Sequence, residues 1–519
     1  MADARLRSST SAACIQRCAA VHDNAFRFRQ HVRGGPPMSV PQAEPKVWSR
    51  RTFVRHGFTA AGAFAFGACA RTGAPRERLT TGASAELEEL ARNVRGRFLS
   101  DGSPFYDDAR KVWNLAYDRR PLAMVRCADV DDVKRCVEFA RRYDLPIAIR
   151  GGGHSYAGFG VADGALQIDL RELHAVTVDS QRRAASIGGG TKISELLTAT
   201  LAQGLYTPMG ACGEVGVAGV ALAGGDTAGR GLFGTACDNL IGAQLVTADG
   251  AVQELGPERN ADLFWAIRGG GGNFGVVTRL DFRLHAVRPR HDADFQFGWN
   301  DIAGAMRTFG ELVRETPDEV RAGFYVDPIA GASANCGHYG EARVAAEYLE
   351  RWKAAFPTVE PKLETRLPDP VGEVWATTPL AVDGAFLEGL TEDRLIEVLS
   401  RAALAGRGIG SLLMGLSNGV AARVSPTDTA YPLRGVGLSS LLSAEWRRPE
   451  ERVRAEQWIA EHGAALRPWA RRAYVNYLAP SSTERIREVY GANFARLARI
   501  KAQVDPANLF RVNQNILPA

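Results

Sequence analysis

The chain has 519 residues, 45% of them hydrophobic and 23% charged, a globular composition long enough for two or three domains. Its formal charge of +5 is small for this length and no basic stripe is interleaved with aromatics, which argues against nucleic acid as a partner. Eight cysteines, at positions 14, 18, 69, 127, 136, 212, 237 and 336, include no CxxC pair, and no histidine cluster has metal-ligand spacing, so neither a metal site nor a disulfide framework is expected.

Near the N-terminus, Ser49-Arg50-Arg51-Thr52-Phe53-Val54 precedes a weakly apolar run, 57–69, that is too short to cross a bilayer as a helix. Twin arginines, an aromatic at the right offset and the small residues Ala68-Cys69-Ala70 read as a twin-arginine export signal over 38–75. The twin-arginine machinery is then a partner, and the mature protein is secreted without a transmembrane helix. Phe66-Gly67-Ala68-Cys69 also resembles an imperfect lipoprotein box, so a lipid anchor at Cys69 is the alternative. Met38 lies a normal distance before the arginine pair, and residues 1–37 read as a non-native or disordered extension.

A lead-in over 76–116 brings the chain to its first strong pattern. Residues 122–126 read as a strand, Asp129 caps a helix with Val133, Cys136, Val137 and Ala140 on one face, and 145–150 read as a second strand. Short alternating strands follow at 165–170, 176–179 and 184–187, then a helix over 191–203 closed by Gly204 and a Gly-rich stretch over 210–234. This mixture predicts an α+β domain over 117–288. Over 289–472 the glycine loops thin out, and amphipathic helices at 301–315, 342–356 and 392–405 alternate with short strands, as in a second, substrate-facing domain. The tail, 473–519, predicts a strand over 473–478 and one helix over 482–504 that stops at Asp505-Pro506.

Two glycine loops carry the chemistry. Arg150-Gly151-Gly152-Gly153-His154-Ser155-Tyr156 follows a strand, where consecutive glycines can offer backbone N–H groups to a diphosphate and place a histidine beside the cofactor. Alone, such a loop serves equally as a turn with a surface histidine. Gly270-x-Gly272-x-x-Gly275 formally matches the dinucleotide fingerprint, but residues 276–284 alternate like a strand, so the helix that a Rossmann unit requires is missing. A nicotinamide-binding fold is therefore rejected, and a flavin site of another architecture remains.

RGGGHSYAG, the run over 210–225, CDNLIGAQLVTADG, DLFWAIRGGGGNFGVVT, AYVNY and the closing run over 493–516 occur in the order and spacing of one family. On these motifs the chain resembles the berberine-bridge-enzyme-like oxidases of the vanillyl-alcohol-oxidase superfamily, from about Phe105 to the C-terminus, with 290–470 the least similar part. The resemblance implies an α+β fold with a PCMH-type, two-subdomain FAD-binding domain and a substrate domain whose antiparallel sheet is flanked by helices. It implies covalent FAD, bonded through His154 at the 8α-methyl and through Cys212 at C6. Arg150, Gly151, Gly152, Gly153, Ser155, Gly210, Val215, Gly216, Gly219, Gly275, Val277 and Asn513 fall on the cofactor-binding segments. Tyr477 matches the tyrosine that acts as base toward a substrate hydroxyl, a role that needs nearby positive charge because an unperturbed phenol ionises only at about pH 10. The sequence shows no such stabiliser. Val215 matches a position where valine goes with oxygen as electron acceptor. Each has a plainer reading: Cys212 and Val215 as buried apolar residues, Tyr477 as a core strand tyrosine.

Two positions depart from the family. Relatives commonly read GGGxG where this chain has Ala223-Gly224-Gly225-Asp226-Thr227, often with an aromatic at x, and they often carry histidine where Leu433 stands. Asp226 either faces the pocket and binds a substrate hydroxyl or cation, or bonds its own loop backbone. The expected activity is hydride transfer from an alcohol, sugar or lactol, or natural-product C–H to FAD, with oxygen reduced to hydrogen peroxide. A dehydrogenase with another acceptor, an oxidative cyclase and an inactive binding protein are the alternatives.

Overall fold

Apolar, β-rich runs separated by glycine turns fold, among the described residues, into three larger sheets and one two-stranded sheet. The computed structural model describes residues 84–369, 377–390, 392–470 and 472–519. The export segment, with Cys14, Cys18 and Cys69, lies outside the described residues.

The first sheet joins β1 (Arg97–Ser100), β2 (Ala123–Arg126), β3 (Ile147–Arg150) and β4 (Leu166–Asp169) in the order β1-β2-β4-β3. β4 runs parallel to both β2 and β3, which requires a crossover, and the helix Val130–Arg142 supplies it. The Asp129 carboxylate caps that helix by accepting from the Asp132 N–H at 2.9 Å. Val133, Cys136, Val137 and Ala140 are buried as their helical spacing requires. β3 ends at Arg150 and feeds straight into the first glycine loop.

The second sheet is antiparallel: β5 (Val176–Asp179), β6 (Ala184–Gly188), β8 (Leu240–Val246), β9 (Val252–Leu255) and β10 (Val276–Arg283), in the order β5-β6-β10-β8-β9. β7 (Leu205–Tyr206) and β11 (His285–Ala286) pair beside it. The helix Ile193–Leu201 lies between β6 and β7, followed by Gly204 at φ 68°. Gly271–Asn273 forms only a 3₁₀ turn before β10, so no helix follows the formal dinucleotide fingerprint.

The third sheet has seven antiparallel strands: β12 (Arg290–Phe297), β13 (Val320–Asp327), β14 (Gly331–Tyr339), β15 (Lys362–Arg366), β16 (Leu380–Leu387), β17 (Gly410–Ser417) and β18 (Gly437–Glu445). Their order is β15-β12-β14-β13-β17-β18-β16. Phe324, Val326, Ala334, Leu412, Met414, Leu438 and Leu442 pack on one face against the helices Ile302–Leu312, Ala342–Ala355, Asp393–Ala405 and Arg452–Leu466. On the other face Leu380, Val382 and Leu441 meet Trp113, Tyr156 and Tyr477, which come from outside this sheet.

The tail differs from its expectation in two places. Residues 473–478 form no strand; Val475–Tyr477 is a 3₁₀ turn, held where the Asn476 amide donates to the Gly219 carbonyl at 2.9 Å. The single helix expected over 482–504 is two, Thr483–Tyr490 and Phe494–Val504, parted at Gly491 with φ 51°. Tyr490 donates to the Gly269 carbonyl and Asn493 to the Pro426 carbonyl, and these contacts fix the break. Among the described residues no helix is long and apolar enough to cross a membrane.

Candidate active site

The loop after β3 lies backbone to backbone against the loop that carries Cys212. A Cβ on Gly152 would overlap the nitrogen of Gly216, and a Cβ on Gly216 would overlap the nitrogen of Gly152. Gly153 turns the chain at φ 77°. The His154 ring then stacks on Trp113, with centroids 5.5 Å apart and planes at 16°. Trp113 is held there by its backbone N–H, which donates to the Gly153 carbonyl at 3.0 Å. Burial pushes the imidazole down to about 4, opposed by Glu214 and reinforced by Lys192 and Arg150, so the ring is neutral at physiological pH.

Cys212 is 1% exposed. Its loop is pinned to the start of the helix Ile193–Leu201: the Ser194 N–H donates to the Gly213 carbonyl at 3.0 Å and the Ile193 N–H to the Val215 carbonyl at 2.9 Å. Val215 packs against the core, and Gly210 lies beside Ile193. Gly216 opens the helix Val217–Leu222, and Gly219 within it accepts the hydrogen bond from Asn476. The Cys212 segment is thereby tied to the turn that bears Tyr477.

The other cofactor candidates extend the same strip. A Cβ on Gly151 would meet the Gly189 carbonyl at 3.4 Å, and a Cβ on Gly189 would overlap the Val277 carbonyl, so Val277 lies behind the first loop with Gly189 between them. Gly275, at φ 154°, packs on Val246 of β8. The Asn513 amide donates to the Gly272 carbonyl at 3.2 Å and to the Phe510 carbonyl at 3.1 Å. Ser155 accepts at its carbonyl from the Gly158 N–H. Arg150 is buried, donates to the Ala109 carbonyl, and is lowered to about 10 by burial.

Tyr477 closes the strip from the side of the seven-stranded sheet. Gly384 of β16 lets it approach, since a Cβ there would lie 2.8 Å from that of Tyr477. The ring meets Tyr474 edge-on at 4.9 Å and Tyr156 at 6.1 Å. Burial raises its phenol, as do Tyr156 and Tyr474, and the Arg230 guanidinium lowers it. Arg230 is the positive charge that sequence reading did not find. It is 7% exposed, its Nε donates to the Leu416 carbonyl at 2.8 Å, and it pairs with Asp226.

Asp226 is buried against Arg230, four residues on. Asp226 precedes the four-residue helix Arg230–Phe233 rather than lying on it, so no helical pattern in the sequence announces their contact. Leu433, the other departure, is buried in the core. Trp113, Tyr156 and Tyr474 were missed because only tertiary contact brings them to His154 and Tyr477.

The residues fit a flavin dinucleotide. His154 Nδ1, Arg150 Nε, Thr191 Oγ1 and Asn513 Oδ1 are buried polar atoms with no hydrogen-bond partner, and the Gly152–Gly216 contact leaves no side chain over the loops. His154 and Cys212 are the two nucleophiles that could hold the ring.

Two packed glycine loops on a mixed sheet, facing a separate antiparallel sheet across a buried tyrosine, define a PCMH-type FAD-dependent oxidoreductase. The family model for the FAD binding domain matches residues 121–256, and the berberine and berberine-like model matches 473–517. The chain thus carries an FAD binding domain and a berberine-like C-terminal segment, and its relatives and structural neighbours are FAD-linked oxidoreductases of the berberine-bridge-enzyme-like type. It is 27% identical over 457 residues to the (R)-6-hydroxynicotine oxidase of Paenarthrobacter nicotinovorans, covering 82% of this chain and 97% of that one. The structure of the BBE-like 1 protein of Physcomitrella patens superposes with a TM-score of 0.78 at 26% identity, over 83% of this chain and 99% of that one. The glucooligosaccharide oxidase of Acremonium strictum, described with a 6-S-cysteinyl, 8α-N1-histidyl FAD, shares the fold at TM-score 0.77 and 21% identity, over 83% and 99% of the two chains.

Proposed function

We propose that this protein is an oxidase of CH–OH groups on sugars, lactols or other alcohols, with FAD bonded through His154 Nδ1 and Cys212 Sγ. The observation that carries the reading is the Gly152–Gly216 contact, which brings the loops of a neutral, unpartnered histidine and a buried cysteine together beside Tyr477. When bound, the flavin supplies a two-electron acceptor that returns its electrons to molecular oxygen as hydrogen peroxide. Tyr477 takes the proton of the substrate hydroxyl, while Leu380, Val382 and Leu441 present an apolar wall that keeps water from the reacting carbon. Trp113 fixes the plane of His154 and so the direction of its Nδ1. The two relatives named above as oxidases support the reading, the glucooligosaccharide oxidase by the oligosaccharide in its name and the (R)-6-hydroxynicotine oxidase by its being an oxidase.

The twin-arginine segment adds a proposal about place. The enzyme folds and loads FAD inside the cell and is then secreted, where covalent bonds retain a cofactor that could not be replaced. The decisive experiment is anaerobic mixing of the purified protein with a panel of sugars and alcohols, followed by admission of oxygen. Bleaching by a member of the panel and rapid recovery with stoichiometric peroxide is the expected result. Bleaching without recovery in oxygen would identify a dehydrogenase.

A further inference from the structure

An imidazole turns about its bond to Cβ in a broad, two-fold well, so a histidine that must present one nitrogen in one direction needs something to hold its plane. His154 Nδ1 is buried without a hydrogen-bond partner, and no polar contact at that nitrogen sets the angle of the ring. The indole of Trp113 sets it instead, stacked at 5.5 Å with the planes 16° apart.

Trp113 is itself gripped at two points that flank His154. Its backbone N–H donates to the Gly153 carbonyl at 3.0 Å, one residue before the histidine. The next residue, Asn114, is fully buried, and its amide donates to the Tyr156 carbonyl at 2.6 Å, two residues after the histidine. The same amide donates to the Leu380 carbonyl at 3.1 Å, and its oxygen accepts from the N–H groups of Leu380 and Ala116, each at 3.1 Å. Both donors and both acceptor positions of the side chain are therefore used. The Leu115 N–H donates to the Thr378 carbonyl at 3.1 Å, just before β16. Residues 113–115 are thus a strap between the loop after β3 and the start of β16, and the backbone beneath the indole is fixed from both sides. The Tyr156 ring meets the indole edge-on at 5.5 Å.

We propose that Trp113 is the positioning residue for the histidyl bond to FAD: its face, anchored by the Asn114 strap, holds the His154 ring at the angle from which a ring nitrogen reaches the flavin methyl carbon. The proposal rests on the reading of His154 as a point of flavin attachment. In that step a nitrogen–carbon bond forms, one hydrogen leaves the imidazole nitrogen and one leaves the methyl group. The two protons and two electrons so released pass by way of the flavin to molecular oxygen and give one hydrogen peroxide. Orientation governs such a step, and a displacement of about 1 Å costs on the order of 10²-fold in rate. Cys212 lies on the other loop, whose backbone is pinned to the helix Ile193–Leu201, so its bond serves as the internal control.

The test compares Cys212→Ser with Cys212→Ser/Trp113→Met and Cys212→Ser/Trp113→Phe, each purified with its flavin bound. Methionine fills space without a flat face, and phenylalanine keeps one. The readout is the share of the bound flavin that stays with acid-precipitated protein, at purification and during aerobic incubation with added FAD. As a share, it does not depend on how much flavin each variant carries. Attachment should be complete in Cys212→Ser, close to that in the phenylalanine variant, and slower by about 10–100-fold in the methionine variant. In Trp113→Met with Cys212 intact, mass mapping should find the flavin on the Cys212 peptide and none on the His154 peptide. Trp113→Leu carries the same comparison should Trp113→Met fail to fold. Equal attachment in all three proteins overturns the positioning role, and so does equal loss in the methionine and phenylalanine variants, which makes Trp113 a packing residue. Release of all flavin from Cys212→Ser itself removes the histidyl bond, and this proposal with it.

Discussion

Gly152 and Gly216 touch through their backbones, and that single contact holds the loop of His154 against the loop of Cys212. Any side chain at either position must part the loops. Gly152→Ala should cost about 1–3 kcal/mol of stability and lower FAD content sharply, measured by thermal unfolding and by the ratio of visible to ultraviolet absorbance. Gly304→Ala, an exposed position where a Cβ meets open space and φ is likewise not in the left-handed region, controls for the general effect of replacing a glycine.

Two covalent links predict a particular pattern of loss. Protein denatured and filtered should stay yellow in wild type, His154→Ala and Cys212→Ala, and become colourless only in the double variant. Intact mass should fall by one FAD in that variant alone. Free flavin in the filtrate of the wild type would contradict both links.

Removal of the Tyr477 hydroxyl should act on the chemical step. Tyr477→Phe keeps the ring contacts with Tyr474 and Tyr156, so flavin content and melting temperature should stay as in wild type. Flavin reduction measured by stopped flow should slow by about 10²–10⁴-fold.

The depressed imidazole of His154 makes stability depend on pH in the flavin-free chain. In the unfolded chain it takes a proton near pH 6.5, whereas in the folded chain it stays neutral down to about 4. The unfolded state therefore binds more protons between these values, and stability present above pH 6.5 is lost as pH falls toward 4. His154→Gln should flatten that part of the curve. Melting temperatures of the flavin-free proteins from pH 8 to pH 4.5 measure it, and parallel curves would count against the shift.

The last helix is held by a fully buried pair. Lys501 donates to Asp505 at 2.7 Å and to the carbonyls of Asn273 and Phe510, and Asp505 accepts from the Leu509 and Phe510 N–H groups. Lys501→Met strands a buried carboxylate and frees the end of the chain from the 270–275 loop. Urea denaturation should show a loss of about 3–5 kcal/mol.

Much of this was legible in the sequence, and the boundary has a physical cause. The strands around β2 to β6, the Asp129 cap and the two glycine loops were readable, because alternation, capping and turn chemistry act within a few residues. So was the rejection of a Rossmann unit, since a strand pattern directly after Gly275 leaves no room for the required helix. The tail was misread where distant partners overrule local pattern: Asn476 reaches Gly219 and turns an apparent strand into a 3₁₀ turn, and Tyr490 and Asn493 fix a break at Gly491.

By itself, the sequence determined that His154 follows a glycine loop, that Cys212 lies in a second one, and that the chain carries the motifs of an FAD-linked oxidoreductase. Only the tertiary structure decided that Trp113 stacks on His154, that Tyr156 meets Tyr477 across 321 positions of chain, and that Asp226 is buried against Arg230. Backbone conformation is written in neighbouring residues. The charge that a buried phenol feels is a sum over everything folding brings near it, and that sum exists only once the sheets have packed.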